Sequence, residues 1–144
     1  MLVKQLSVFV QNISGRLADI TSFLAKNNVN LRAISMADTT DFGILRLIVD
    51  YPEESAELLK KHDYTVSVTE ILAVEFPDIP GSLSQVLSML NEEKIGIEYI
   101  YAFTCDIDGK ACVILKPTDL DKAEKLLENH SDVRLFQPEE IYKF

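Results

Sequence analysis

Asp78-Ile79-Pro80-Gly81-Ser82-Leu83 is the stretch that decides how this 144-residue chain is expected to fold. An apolar run at 71–74, typical of a strand, leads into it, and Val86 and Leu90 follow it at helical spacing. Aspartate, proline and glycine are residues that tight turns use, so the stretch predicts a strand-to-helix turn. Because the first turn of a helix has N–H groups without intrahelical acceptors, a small anion can bind there.

The same stretch occurs a second time, in altered form, as Asn12-Ile13-Ser14-Gly15-Arg16-Leu17. Shifting the sequence by 66 residues superimposes the two turns and extends the match through the flanking segments. The matched pairs include Leu6 with Leu72, Val8 with Val74, Leu24 with Leu90, Ile34 with Ile100, Gly43 with Gly109, and Ile48 with Ile114. After Val49 the offset drifts by one or two residues. A repeat of this length indicates two copies of one structural unit.

Each copy has the same predicted order of elements: strand, helix, strand, strand, helix, strand. Strands are predicted at 6–10, 30–38, 44–49 and 65–68 in the first copy, and at 71–74, 97–104, 111–115 and 133–136 in the second. Hairpin turns are predicted at 40–43 and at Asp108-Gly109. The second helices are predicted to begin at Pro52, which suits a first helical position, and after Thr118 as an N-cap.

This order is the split βαβ pattern, so the predicted fold class is α+β. We expect two ferredoxin-like βαββαβ units with antiparallel sheets and helices on one face, at residues 1–70 and 71–144. Residues 137–144 extend past the second copy, and their apolar Ile141, Tyr142 and Phe144 predict a docked tail. Apolar residues on both sides of several strands predict that the open sheet face is covered, by the other copy or by a second chain.

Composition narrows the classes of function. The net charge is −9, which disfavours nucleic acid as a partner. No apolar run reaches membrane-spanning length and the N-terminus lacks the layout of a signal peptide, so we expect a cytoplasmic protein with no membrane partner. The hairpin at Asp108-Gly109 pairs Cys105 with Cys112 within bridging distance, but the cytoplasmic location predicts free thiols.

Both copies resemble the ACT domain, a small ferredoxin-like regulatory module that binds amino acids. The turn pattern of that family, Asp/Asn-x-Pro-Gly-x-Leu, is complete in the second copy, whereas Ser14 replaces the proline in the first. The family's apolar–Asn–apolar entry to the second strand is present as Val29-Asn30-Leu31 and altered in the second copy to Ile95-Gly96-Ile97. The resemblance extends over residues 1 to about 136 as a tandem pair.

The resemblance implies a non-catalytic regulatory protein that binds an amino acid at an interface between domains, against the two turns. The implied ligand-binding residues are Asn12, Ile13, Ser14, Gly15, Arg16, Leu17, Asn30, Asp78, Ile79, Pro80, Gly81, Ser82 and Leu83. Their chemistry fits, because free N–H groups can bind a carboxylate and Asp78 or Asn12 can accept from an ammonium group. Asp78 and Asn12 are equally suited to cap their helices, and Arg16 to lie in solvent.

No catalytic, cofactor or metal motif accompanies the turns. The chain has two histidines, His62 and His130, and neither has a local set of metal ligands or a neighbouring nucleophile. We therefore expect no cofactor and no metal, and a homodimer with an amino acid ligand. Two alternatives stay open: a regulatory subunit that mainly holds a partner enzyme, and a small acylphosphatase-like enzyme that uses Arg16 and Asn30.

Overall fold

The computed structural model describes residues 2–38 and 41–142, which form two compact units. We call residues 4–69 with 141–142 the first unit, and residues 2–3 with 70–140 the second unit. In chain order the elements are β1 (Val3–Gln11), α1 (Arg16–Lys26), β2 (Leu31–Asp38), β3 (Phe42–Val49), α2 (Pro52–Lys61), β4 (Thr65–Pro77), α3 (Ser82–Glu92), β5 (Ile97–Ala102), β6 (Lys110–Pro117), α4 (Leu120–Glu128), β7 (Arg134–Leu135) and α5 (Pro138–Tyr142).

The first unit has the strand order β2-β3-β1-β4. β1 and β2 both pair antiparallel with β3, and Leu6 lies opposite Leu47. Alternate strand residues face α1 and α2, and the buried core is Leu6, Val8, Val10, Ile20, Leu24, Leu45, Leu47, Val49, Ala56 and Leu59. Each of the larger side chains contributes about 1.5–3 kcal/mol by its burial.

The second unit repeats this arrangement with the order β5-β6-β4-β7. Its buried core is Leu72, Val74, Phe76, Val86, Leu90, Ile95, Val113, Leu115, Ala123, Leu127 and Leu135. Two antiparallel sheets, each with two helices on the face that carries its core, confirm the predicted α+β fold of tandem ferredoxin-like units. No helix among the described residues is long and apolar enough to cross a lipid bilayer.

One strand, β4, replaces the two separate strands expected at 65–68 and 71–74. Glu70 continues the extended backbone between them, and the division between the units falls inside β4, between Thr69 and Glu70. The chain therefore passes from one unit to the next without a loop.

The offset between the repeats changes earlier than the sequence suggested. Leu6 pairs with Leu47 in the first unit, whereas its counterpart Leu72 pairs with Leu115 in the second. The third strands thus match at an offset of 68, so Gly43 corresponds to Ala111 and not to Gly109. Two extra residues in the loop before β6 account for this shift.

The expectation of free thiols at Cys105 and Cys112 is wrong in this structure, where they form a disulfide with 6.3 Å between their Cα atoms. The predicted register is also wrong, because the Phe103 N–H donates to the Cys112 carbonyl. β5 ends at Ala102, and the turn is closed by a hydrogen bond from the Lys110 N–H to the Ile107 carbonyl. The bridge therefore joins an irregular loop to β6.

The tail forms the short helix α5, in which Ile141 is fully buried. The Lys4 N–H donates to the Tyr142 hydroxyl at 2.8 Å, and the Arg32 Nε donates to the Tyr142 carbonyl at 3.3 Å. The end of the tail thus docks at the starts of β1 and β2 in the first unit. Phe144, which was expected in the same tail, and Thr40, expected in the first hairpin, lie outside the described residues.

The predicted N-cap of α4 is displaced by one residue. Asp119 caps this helix, with its carboxylate accepting from the Lys122 N–H at 3.1 Å. Thr118 instead accepts from the Gly96 N–H through its hydroxyl at 3.0 Å. The start of α2 at Pro52 agrees with the prediction.

Candidate functional site

The two turns have nearly the same backbone conformation. Gly15 and Gly81 occupy the N-cap positions of α1 and α3 with φ of 90° and 94°, a left-handed conformation that side chains other than glycine rarely adopt. The N–H of Ile79 donates to the Pro77 carbonyl at 2.9 Å, as that of Ile13 does to the Gln11 carbonyl. Glycine is thus required at each turn by the backbone itself.

The N-cap positions of α1 and α3 are held by Gly15 and Gly81 and not by Asn12 and Asp78, which lie three residues earlier. The Asp78 N–H donates to the Gly109 carbonyl at 2.9 Å, which ties the turn to the β5–β6 loop. Within the described residues, the N–H groups of Gly81, Leu83 and Ser84 have no acceptor. These donors are available to an anion at the helix start, where the helix dipole adds about 0.3–1 kcal/mol.

A pocket of 460 Å³ adjoins this turn in the second unit, and we call it the second-unit pocket. The turn forms one side, and the end of β5, the start of β6 and the disulfide form the others. Buried Phe76 and Val113 supply an apolar surface, while Asp78 and Lys110 supply opposite charges. Such a volume and lining suit a small zwitterion with an apolar side chain.

In the first unit, the position that corresponds to the second-unit pocket contains the side chain of Met36, the counterpart of Ala102. A Cβ added at Gly43 would overlap the Met36 methyl group, so the thioether lies directly against the β3 backbone. Met36 also packs against the core of the first unit. A long side chain therefore occupies the position at which the second unit has a methyl group.

Asn30 lies away from the turn of its own unit. Its N–H donates to an Asp50 carboxylate oxygen at 3.1 Å and its carbonyl accepts from the Asp50 N–H at 3.3 Å, beside the start of β1. The equivalent Gly96 makes the same double contact with Thr118, whose methyl carbon would lie 3.2 Å from an added Cβ. The missing asparagine thus follows from the packing of Thr118.

Arg16 and Asn30 are separated by the length of β1, because one follows the end of that strand and the other adjoins its start. The first unit therefore does not assemble them into the single phosphate site that an acylphosphatase-like enzyme needs. The Arg16 Nη2 donates instead to the Gln11 side-chain carbonyl at 2.9 Å.

The apolar residues of the turns are more exposed than the predicted helical stripe implied. Leu17, Ile20 and Leu24 recur at helical spacing, which predicts a shared apolar stripe, but Leu17 is 43% exposed, and Ile79 is 64% exposed. In α1 the first buried residue is Ile20, one turn in, whereas α3 buries Ser82 in its first turn but leaves Leu83 36% exposed. This exposed apolar surface at the pocket rim is available to a ligand or to another chain.

Sequence reasoning missed the other half of the second-unit pocket: Ala102, Lys110 and the disulfide. The pairing of Met36 with Ala102 at an offset of 66 was visible in the sequence and could have indicated which copy is open. Among the described residues, no three His, Cys, Asp or Glu side chains are grouped as metal ligands.

Comparison with known proteins gives a family and a close structural relative. A family model described as ACT domain pair matches residues 1–138. The crystal structure of a protein from Bacteroides thetaiotaomicron has a TM-score of 0.92 and 39% sequence identity, over 100% of this chain and 98% of that one. A search of curated proteins finds no match.

Regulatory subunits of aspartate kinase are more distant structural neighbours. The ligand-free subunit from Thermus thermophilus has a TM-score of 0.64 and 16% identity, over 88% of this chain and 90% of that one. The subunit from Thermus flavus has a TM-score of 0.61 and 14% identity, over 89% and 90%. At these identities the likeness is one of fold.

Proposed function

Because the chain belongs to the ACT domain pair family, we propose that it is a non-catalytic regulatory protein that binds a free amino acid in the second-unit pocket. The observation that carries this proposal is the meeting of unpaired helix N–H groups, the Asp78 carboxylate and an apolar surface around one 460 Å³ space. Each matches one part of an amino acid.

The α-carboxylate would bind the N–H groups of Gly81, Leu83 and Ser84, which have no acceptor among the described residues. Asp78 is exposed, and its carboxylate would accept from the α-ammonium group. The ligand side chain would then lie against Phe76 and Val113, where burial contributes about 25 cal/mol per Å². This assignment favours apolar amino acids of small to medium size.

The first-unit turn supports binding less well. Its glycine conformation is the same, but Met36 lies where the second unit has Ala102. We infer unequal sites, in which the turn from Asp78 to Leu83 binds the amino acid and the turn from Asn12 to Leu17 does not.

Binding would act on a partner by favouring one arrangement of the assembled protein over another. Exposed apolar residues at the pocket rim, Ile79 and Leu83, support self-association there, and a partner enzyme is the second candidate for the same surface. Light scattering at protein concentrations of tens of micromolar distinguishes self-association from binding of a partner enzyme, because a strictly monomeric protein would exclude the homodimer.

A thermal-melt panel of the twenty amino acids tests the proposal. A ligand at 100 times its dissociation constant stabilises the folded state by about 2.7 kcal/mol, so one or a few related amino acids should raise the melting temperature at millimolar concentration. Asp78→Ala should remove that shift, and Asp106→Ala, an exposed carboxylate in the nearby loop, is the control. If no amino acid shifts the transition, the protein is a subunit that holds a partner without an amino acid effector.

A further inference from the structure

A larger cavity, of 840 Å³, lies in the first unit and is separate from the second-unit pocket. We call it the first-unit cavity. It opens where β1 ends and β4 begins, between α1 and the C-terminal end of α2. Its volume lies within the range of small-molecule sites, roughly 300–1,000 Å³.

Aromatic rings line this cavity. The Phe23 and His62 rings are stacked, with centroids 4.1 Å apart and an interplanar angle of 13°. Phe9 and Phe42 also line it, yet they are 51% and 52% exposed. Exposed rings beside an open volume favour a ligand with a flat apolar surface, because stacking would remove them from water.

Arg16 supplies the polar contact. Its Nη2 donates to Gln11, while its Nε is buried and has no hydrogen-bond partner. A buried donor without an acceptor is unfavourable, so a ligand that draws the guanidinium into the cavity would be favoured, and a carboxylate is the acceptor that this planar group fits best. Lys26 adds a second positive charge to the wall, and Asp19 and Asp63 balance the two. A balanced wall favours a ligand with one negative charge over a polyanion.

The second unit shows that these features are not required by the fold. Its corresponding cavity has only 220 Å³. Repeat alignment places Glu75 at the position of Phe9, Ser82 at that of Arg16 and Met89 at that of Phe23, and Lys110 lies opposite Pro77 as Phe42 lies opposite Gln11. Phe9, Phe23, Phe42 and Arg16 thus have no aromatic or arginine counterpart in the second unit, although the backbone is shared and His130 lines the corresponding cavity as His62 lines this one.

We propose that the first-unit cavity binds an aromatic monocarboxylate, with the ring between the exposed phenylalanines and the carboxylate on Arg16. This site is additional to the amino acid pocket of the second unit and does not use its residues. The two proposals can therefore fail independently.

Indole-3-acetate is a suitable probe, because the chain has no tryptophan and indole fluorescence is observed without a tryptophan background when the five tyrosines are not excited. Saturable binding is expected, and tryptophol, which has the same ring without a carboxylate, should bind about tenfold more weakly, as the loss of one charge-assisted contact implies. Equal binding of both compounds, or no saturation with indole-3-acetate at millimolar concentration, would overturn the proposal.

Two variants locate the site. Arg16→Gln should weaken indole-3-acetate about tenfold and leave tryptophol unchanged, because it removes only the ionic contact. Lys60→Gln is the matched control, since it removes one positive charge from the exposed face of α2 in the same unit and should change neither affinity. Phe9→Leu should weaken the binding of both compounds. Because the Phe9 side chain is exposed, this variant should fold normally, and thermal melting checks that it does. An unchanged affinity in Arg16→Gln and Phe9→Leu would assign the probe to another place and overturn the site.

Discussion

Single residues account for the differences between the two turns. Gly15 and Gly81 have the same left-handed conformation and open space where a Cβ would lie, so sterics at these positions do not separate the two turns. The difference arises at Met36 and Ala102, which are equivalent in the repeats but differ by three heavy atoms in side-chain length. Asn30 and Gly96 differ for a separate reason, the contact with Thr118.

Gly81→Ala should lower the free energy of unfolding by about 1–2 kcal/mol, because an L-residue is strained at positive φ. It should also weaken the binding of the amino acid, since the strained turn contains the N–H donors. The mechanism is backbone strain and not crowding, because nothing lies within 4 Å of the added Cβ. Chemical denaturation and ligand titration measure the two effects.

Gly15→Ala is the matched control for this substitution. It should cost about the same stability, because its φ differs by only a few degrees, and it should leave ligand affinity unchanged. Equal loss of affinity in both variants would mean that the first turn also contacts the ligand.

At the scale of elements, the disulfide fixes the loop between β5 and β6 against the second-unit pocket. The loop leads into Lys110, the first residue of β6, and its Gly109 carbonyl accepts from the Asp78 N–H, so its position controls one side of that pocket. Reduction would release this side while leaving the β4–β6 ladder intact.

Replacing both cysteines with serine should lower the free energy of unfolding by about 2 kcal/mol, as expected for a short closed loop. Affinity for the amino acid should fall as well, because without the bridge the β5–β6 loop is less ordered in the free protein and must be ordered when the ligand binds. Melting of the wild-type protein with and without a dithiol reductant should show the same difference. A double variant with wild-type stability and no response to the reductant would contradict this role of the bridge.

The end of the second unit contains an ion-pair network that predicts a pH dependence. The Gln137 N–H donates to the Glu140 carboxylate at 2.6 Å, and this bond lowers the pKa of Glu140; burial opposes the shift and the Arg134 contact supports it. The pKa of the Arg134 guanidinium is lowered by burial but raised on balance by Glu140 and Glu75.

A lowered folded-state pKa means that Glu140 stabilises the protein above its unfolded pKa and that the contribution is lost as the pH falls through the folded value. Glu140→Gln should therefore lower the melting temperature at pH 7, and the gap to wild type should close in acid. Glu139→Gln, the neighbouring exposed carboxylate, controls for net charge. A gap that stays constant from pH 7 to strongly acidic pH would refute the assignment.

The sequence predicted the elements well where apolar periodicity and the repeat agreed. It failed at the β5–β6 loop, because Asp108-Gly109 indicates a two-residue hairpin whereas tertiary packing ends β5 at Ala102. The choice between the turns was missed, because the pairing of Met36 with Ala102 matters only once the sheet places that side chain against the β3 backbone. Similarly, the position of Asn30 relative to Arg16 follows from strand register, which spacing along the chain does not reveal.

At the scale of the molecule, the two units have the same fold and different surfaces. The second unit contains the second-unit pocket beside its turn, and the first unit contains the first-unit cavity with its aromatic rings and Arg16. Under the two proposals, each copy of the duplicated domain would bind a different ligand.

Calorimetric titration with the amino acids tests the central claim, that one amino acid binds per chain and that it binds in the second-unit pocket. We expect a saturable heat with one site per chain for at least one amino acid, and none for Ala102→Met, which places a methionine where the first unit has Met36. No saturable heat with any amino acid, two sites per chain, or undiminished binding by Ala102→Met would contradict it.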